Sequence, residues 1–204
     1  MATRVLLLRH GQSTWNAEGR WQGWSDPPLS ELGRVQAADA AEHLGGLGLT
    51  SVTASDLDRA RTTATVVASA LDLAPVAVDE DLREYNVGAW EGLTRPEIEL
   101  RWPDQLDAWR KGRLAAAPGG ETRVAFLARV EAGLARVAAA GGDSPLVITH
   151  GGVIRAVEQL AGGERSAVID NLAGRWITVA DGGIRAGEVV AGLDPRLRTP
   201  SPSP

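Results

Sequence analysis

Leu6, Leu7 and Leu8 run straight into Arg9, His10 and Gly11, so an imidazole and a permanently charged guanidinium stand side by side where an apolar run meets a glycine turn. That pairing points to phosphate chemistry, because Arg9 can hold a phosphoryl oxygen next to the ring. A lone Arg-His-Gly reads by default as part of a surface loop, but the same format recurs at Leu146, Val147, Ile148, Thr149, His150 and Gly151. Parallel strands of one sheet end on one edge, where open α/β folds bind ligands, so both rings can face one phosphate there. A helix opening at Gly151 would add backbone N–H groups aimed at the anion. Arg59 follows the strand expected at 51–54 and opens another helix. A cation at a helix N-terminus opposes the macrodipole, so its placement there calls for an anion nearby. Glu84 lies in a loop of partly apolar character, residues 82–92. Beside a leaving-group oxygen, its pKa raised by burial, it would serve as a general acid near neutral pH. His43 falls within a long helix, away from any strand end, and reads as structural.

The elements that must carry these residues alternate along the chain. Strands are expected at 4–8, 51–54, 76–78 and 145–149, and helices at 30–44, from 58 to about 73, near 96–101 and 104–110, from 121 to about 139, and from 151 to 160. A hairpin over 176–180 and 184–190, turned by Asp181, Gly182 and Gly183, closes the chain. Such alternation predicts a three-layer α/β/α sandwich with a mostly parallel sheet and an antiparallel edge. One domain over 1–193 is expected, with a Pro- and Ser-rich tail, 194–204, that has nothing to bury and should be disordered.

Composition narrows the classes. The chain has 204 residues, 44% of them hydrophobic, enough for one substantial core. Zero Cys removes disulfides, thiolate nucleophiles and Cys-based zinc sites, and makes the cytoplasm the default compartment. The apolar run at 5–8 is too short for a signal-peptide core or a membrane span. A net charge of −5 argues against nucleic-acid binding, so any anion site must be local. All basic residues but Lys111 are Arg, which suits phosphate recognition but is also what a GC-rich genome produces.

Taken together, the motifs resemble the histidine phosphatase superfamily in its phosphoglycerate-mutase-like branch. The likeness rests on residues 9–16, on Trp21, Gln22, Gly23, Trp24, Ser25 and Asp26, and on residues 28–33. It continues through residues 55–64, the acid loop at 82–94, Gly119, Gly120 and Glu121, and Thr149, His150 and Gly151, covering about 3–190. The resemblance implies that His10 is the nucleophile of a phosphohistidine route. Arg9, Arg59 and His150 would surround the phosphoryl group, and Glu84 would be the acid/base. It also implies that Asn16, Gln22, Gly23 and Gly151 contact phosphate or substrate, with no metal or cofactor required.

Mutases of the family are usually longer after the acid loop, and residues 102–118 look too short to exclude water, so hydrolysis is expected. The expected function is therefore a phosphomonoesterase acting on a small phosphorylated metabolite, with no nucleic-acid or membrane partner and a homodimer left open. The alternatives are a phosphoglycerate mutase and a non-catalytic phosphate-binding regulatory module. Trp15, Trp21, Trp24 and Trp90 lie in or beside the motif loops, either lining a mouth or plugging the core. Sugar phosphates, phosphoglycerates including glycosylated ones, and α-ribazole phosphate all remain open as substrates.

Overall fold

The computed structural model describes residues 2–73, 75–163, 169–181, 183–191 and 197. Its elements are β1 (Thr3–Arg9), α1 (Thr14–Ala17), α2 (Glu31–Leu44), β2 (Ser51–Ala54), α3 (Asp58–Ala70), β3 (Ala77–Val78), α4 (Arg95–Arg101), α5 (Pro103–Arg110), α6 (Arg123–Ala139), β4 (Pro145–Thr149), α7 (Gly151–Leu160), β5 (Ala173–Ala180) and β6 (Gly183–Ala191). The sheet runs β3-β2-β4-β1-β5-β6. Its first four strands are parallel, and β5 and β6 add the antiparallel edge.

The apolar runs explain why β1 and β4 lie at the centre. Alternate side chains of a strand point to opposite faces, so a strand apolar at every position needs cover on both. Val5, Leu7 and Val147 pack against Phe126, Val130 and Leu134 of α6 and Val153 and Val157 of α7. Leu6, Leu8, Leu146 and Ile148 pack on the other face against Ala40 and Leu44 of α2 and Ala60, Ala64 and Val67 of α3. Each fully buried Leu contributes on the order of 2 kcal/mol relative to an exposed one. A smaller cluster of Val87, Trp90, Ile98, Leu106 and Ala117 fills the loop-rich region between β3 and α6.

Caps set the helix starts. The Ser30 hydroxyl accepts from the Gly33 N–H at 3.0 Å and opens α2. α6 begins two residues later than its apolar pattern predicts, because Thr122 takes the cap position and accepts from the Ala125 N–H at 3.2 Å. α1 has only four residues and is held by a capping box between Ser13 and Asn16. β5 starts at Ala173 rather than 176. Gly174 makes that early pairing available, since a Cβ there would sit 1.8 Å from the Leu7 carbonyl oxygen. Gly182 and the expected tail lie outside the described residues, except that the Leu197 carbonyl accepts from Gln36 Nε2 at 2.8 Å. Among the described residues no helix is long and apolar enough to cross a membrane.

Candidate active site

β1 and β4 pair in parallel with Arg9 opposite Thr149, and the His10 N–H donates to the Thr149 carbonyl at 2.9 Å. The residues that follow, His10 and His150, therefore leave the same sheet edge side by side. Their ring centroids are 5.2 Å apart at an interplanar angle of 63°. His10 Nδ1 lies 2.6 Å from the Gly11 carbonyl oxygen. A carbonyl only accepts, so Nδ1 carries the proton and the lone pair of the neutral ring is on Nε2. Both ring nitrogens of His150 are buried and lack a hydrogen-bond partner among the described residues. Burial, with Arg59 and Arg9 nearby, pushes the His10 pKa well below the usual 6.5. Burial, then Arg59, the other ring and Arg9, does the same to His150. Both rings are neutral near pH 7.

Two buried cations face them. Arg9 Nη1 donates to the Ile169 carbonyl at 2.6 Å. Arg59 is fully buried, and its Nη1 and Nη2 donate to the carbonyls of Ser25 and Gly23 at 2.8 and 2.9 Å. Its Nε is buried without a partner among the described residues. Burial lowers both guanidinium pKa values to about 10, which leaves them charged at neutral pH. The anion that a cation at the start of α3 calls for is in part the protein's own. Asp26 accepts from the Asp58 N–H at 2.8 and 3.0 Å and stands 3.6 Å from Arg59 Nη1. Asp26 thus caps a helix whose N-cap residue, Leu57, offers no side-chain acceptor.

Glu84 reaches the same edge from its loop. One carboxylate oxygen accepts from the Tyr85 N–H at 2.8 Å and the other from the Gly152 N–H at 3.1 Å, in the first turn of α7. Gly152 permits this seat, since a Cβ there would lie 1.9 Å from Glu84 Oε1. Asn16 Oδ1 accepts from the Ser13 N–H at 3.2 Å, and Gln22 Oε1 accepts from the Ser13 hydroxyl at 2.7 Å. Gly23 holds a left-handed φ of 51°, and a Cβ on it would strike Glu91 Oε1 at 2.2 Å. Glu91 in turn accepts from the N–H groups of Trp24 and Ser25, both at 2.9 Å, fixing the loop whose carbonyls hold Arg59.

Arg9, Asn16, Gln22, Gly23, Glu84 and Gly151 line one cavity of about 500 Å³. His10, Arg59 and His150 lie behind that lining, each 2% exposed or less. The structure thus brings together every residue singled out for the site. His43 lies elsewhere, on the exposed side of α2, where its Nδ1 is 2.9 Å from the Asp39 carbonyl oxygen.

The outer wall was not anticipated. It includes Trp109 and Arg110 of α5, Arg123 and Phe126 of α6, and Arg155 and Gln159 of α7. Arg155 and Gln159 follow Gly151 at four-residue steps, so the helix face opened by His150 and Gly151 already implied them. The segment 102–118, expected to be too short to enclose a substrate, nonetheless builds this wall through Trp109, Arg110, Gly112 and Leu114. The tryptophans divide by role. Trp90 is fully buried, Trp21 lines the cavity, and the Trp24 ring lies under Arg83, with 5.0 Å between the guanidinium carbon and the ring centroid.

Comparison with known proteins agrees with this geometry. The profile of the Histidine phosphatase superfamily (branch 1) matches residues 5–186. A glucosyl-3-phosphoglycerate phosphatase of Mycobacterium tuberculosis is 37% identical over 200 aligned positions, covering 88% of this chain and 89% of its own. A 2,3-bisphosphoglycerate-dependent phosphoglycerate mutase of Methylobacterium radiotolerans is 35% identical, covering 84% of this chain and 85% of its own. The structure of a mycobacterial glucosyl-3-phosphoglycerate phosphatase complexed with VO3 superposes with a TM-score of 0.80 at 33% identity, covering 94% of this chain and 100% of that one. With its strand-end histidines, buried arginines and profile match in one frame, this chain belongs to branch 1 of the histidine phosphatase superfamily.

Proposed function

We propose that the chain is a phosphomonoesterase that cleaves a small phosphorylated metabolite through a phosphohistidine on His10. The observation that carries this is the Nδ1 hydrogen bond to the Gly11 carbonyl, which leaves Nε2 as the nucleophilic atom beside two buried cations. Nε2 attacks phosphorus in line, and the ester P–O bond breaks as Glu84 gives its proton to the departing oxygen. Glu84 then takes a proton from water, the water oxygen attacks phosphorus, and the N–P bond breaks with its electron pair returning to Nε2. Arg9, Arg59 and His150 hold the equatorial oxygens, whose charge develops during transfer. Asn16, Gln22, Gly23 and the Gly151 N–H border the phosphoryl group. No metal enters this scheme.

The rest of the substrate meets Arg155, whose guanidinium makes no ion pair with a described residue, and the aromatic wall of Trp109 and Tyr85. A second acidic group joined to a sugar, as in glucosyl-3-phosphoglycerate, suits these surroundings. The test is phosphate release from an aryl phosphate and from a panel of phosphorylated acids and sugars, in EDTA. Activity is expected on the aryl ester, with preference for acids in the panel. Absence of both phosphate release and an acid-labile phosphoprotein would establish a binding module instead. Primer-dependent isomerisation of 3-phosphoglycerate faster than its hydrolysis would make the chain a mutase.

The neutral state of both imidazoles has a consequence for anion binding. A dianion seated between them favours the imidazolium, so the pKa of His150 rises on binding and the complex takes up protons. Sulfate, which does not itself titrate in this range, should bind more tightly as pH falls from 7.5 to 5.5, by at most about tenfold per unit for one coupled proton. Calorimetry in buffers of different ionisation enthalpy should show uptake, and His150→Gln should reduce it. Proton release, or affinity independent of pH, would contradict the assignment.

A further inference from the structure

Arg129 is a helix residue of α6 outside every motif, yet its guanidinium is fully engaged beside the site. Its side chain is 14% exposed. Nη1 donates to the carbonyls of Asp81 and Arg83 at 2.9 and 2.8 Å, and Nη2 to the carbonyl of Glu84 at 2.8 Å. Nε and Nη2 donate to the two oxygens of Glu121 at 2.9 and 2.5 Å. All five N–H donors of the fork are thereby engaged. Glu121 also accepts from the Asn86 N–H at 2.7 Å, so one ion pair grips the acid loop on both sides of Glu84. The Trp24 indole N–H adds a second donor to the Glu84 carbonyl at 2.9 Å.

We propose that Arg129 is a positioning residue for proton transfer: through the carbonyls of Asp81, Arg83 and Glu84 it fixes where the Glu84 carboxyl meets the leaving oxygen. This rests on the reading of Glu84 as the acid/base. Glu84 sits on an irregular loop, where no ladder of backbone hydrogen bonds fixes its height above the sheet edge. The carboxylate is held by two N–H groups, but its Cα is held by α6 through one side chain. Displacement of a catalytic group by about 1 Å costs on the order of 100-fold. A lysine keeps the charge but has three donors on one nitrogen and cannot span three carbonyls and a carboxylate.

The experiment compares kcat/KM on two esters that differ in their need for an acid. Dinitrophenolate departs without a proton, whereas the leaving oxygen of phenyl phosphate needs one. Arg129→Lys is expected to lose about 10- to 100-fold on phenyl phosphate and less than about threefold on 2,4-dinitrophenyl phosphate. Glu84→Gln serves as the reference and should show the same split, larger in size. If Glu84→Gln loses equally on both esters, the reading of Glu84 as acid fails. If Glu84→Gln splits them and Arg129→Lys loses equally on both, or loses nothing, Arg129 is only a structural brace and the proposal is overturned. Should Arg129→Lys fail to fold by circular dichroism, Glu121→Gln carries the same test. It removes the counter-charge that orients the fork, and an unsplit loss or no loss there overturns the proposal equally.

Discussion

Replacing His10 with alanine is expected to lower kcat/KM by at least about 10⁴-fold on every ester, the scale seen when a covalent nucleophile is removed. Of the other groups at the sheet edge, His150 is assigned to an equatorial oxygen rather than to phosphorus, and Glu84 is tied by two backbone N–H groups. The acid-labile phosphoprotein should vanish at the same time. Sulfate affinity should stay within about tenfold, because Arg9 and Arg59 keep the charge that binds the anion. Rapid-quench detection of the phosphoprotein, set beside calorimetric titration with sulfate, separates the two effects. Turnover within tenfold of the parent protein would displace His10 from its role.

Arg59→Ala should injure chemistry and stability together. The guanidinium places a full charge beside both imidazoles, and loss of one preorganised donor to a developing oxyanion costs about 10²- to 10³-fold in rate. It also satisfies two carbonyls, those of Gly23 and Ser25. Leaving a buried acceptor without its partner costs about 1–3 kcal/mol. A clear drop in melting temperature is therefore expected alongside the fall in kcat/KM. Arg59→Lys should recover part of the stability and little of the rate, since the three donors of an ammonium radiate from one nitrogen and cannot reproduce the span of a fork whose two ends hold separate carbonyls. Kinetics within threefold of the parent for Arg59→Ala would remove this residue from the phosphoryl site.

Much of this is legible in the sequence, for particular reasons. Leu6 to Leu8 and Leu146 to Ile148 are apolar without alternation, the pattern of a strand covered on both faces, and β1 and β4 do lie inside the sheet. A histidine ending each such strand then had to emerge at a common edge. Arg59 and Glu84 could be placed because each stands next to a recognisable strand or loop. What the sequence does not show is carried by side chains that bind backbone far away along the chain. Asp26 caps α3 across 32 positions, Glu91 braces Trp24 across 67, and Arg129 holds Glu84 across 45. Such contacts leave no period and no composition. α1 was missed because a four-residue helix, held by one capping box, is too short to show an apolar face. The cationic wall residue Arg155 was readable from its helical spacing, whereas Trp109 and Arg123 depended on how α5 and α6 close over the sheet.

The 5.2 Å between the two imidazole centroids is close to the roughly 4.8 Å that separates neighbouring strands in any sheet. The spacing of the two rings is therefore largely a main-chain quantity, inherited from the pairing of β1 with β4. The residues that meet the rest of a substrate come from α5, α6, the later turns of α7 and the acid loop at Tyr85, none of which pairs with β1 or β4. Recognition can drift in this architecture while the spacing of the two imidazoles stays anchored, because the two are stored in different parts of the polymer: the first in exchangeable side chains on helices and loops, the second in hydrogen bonds between strands.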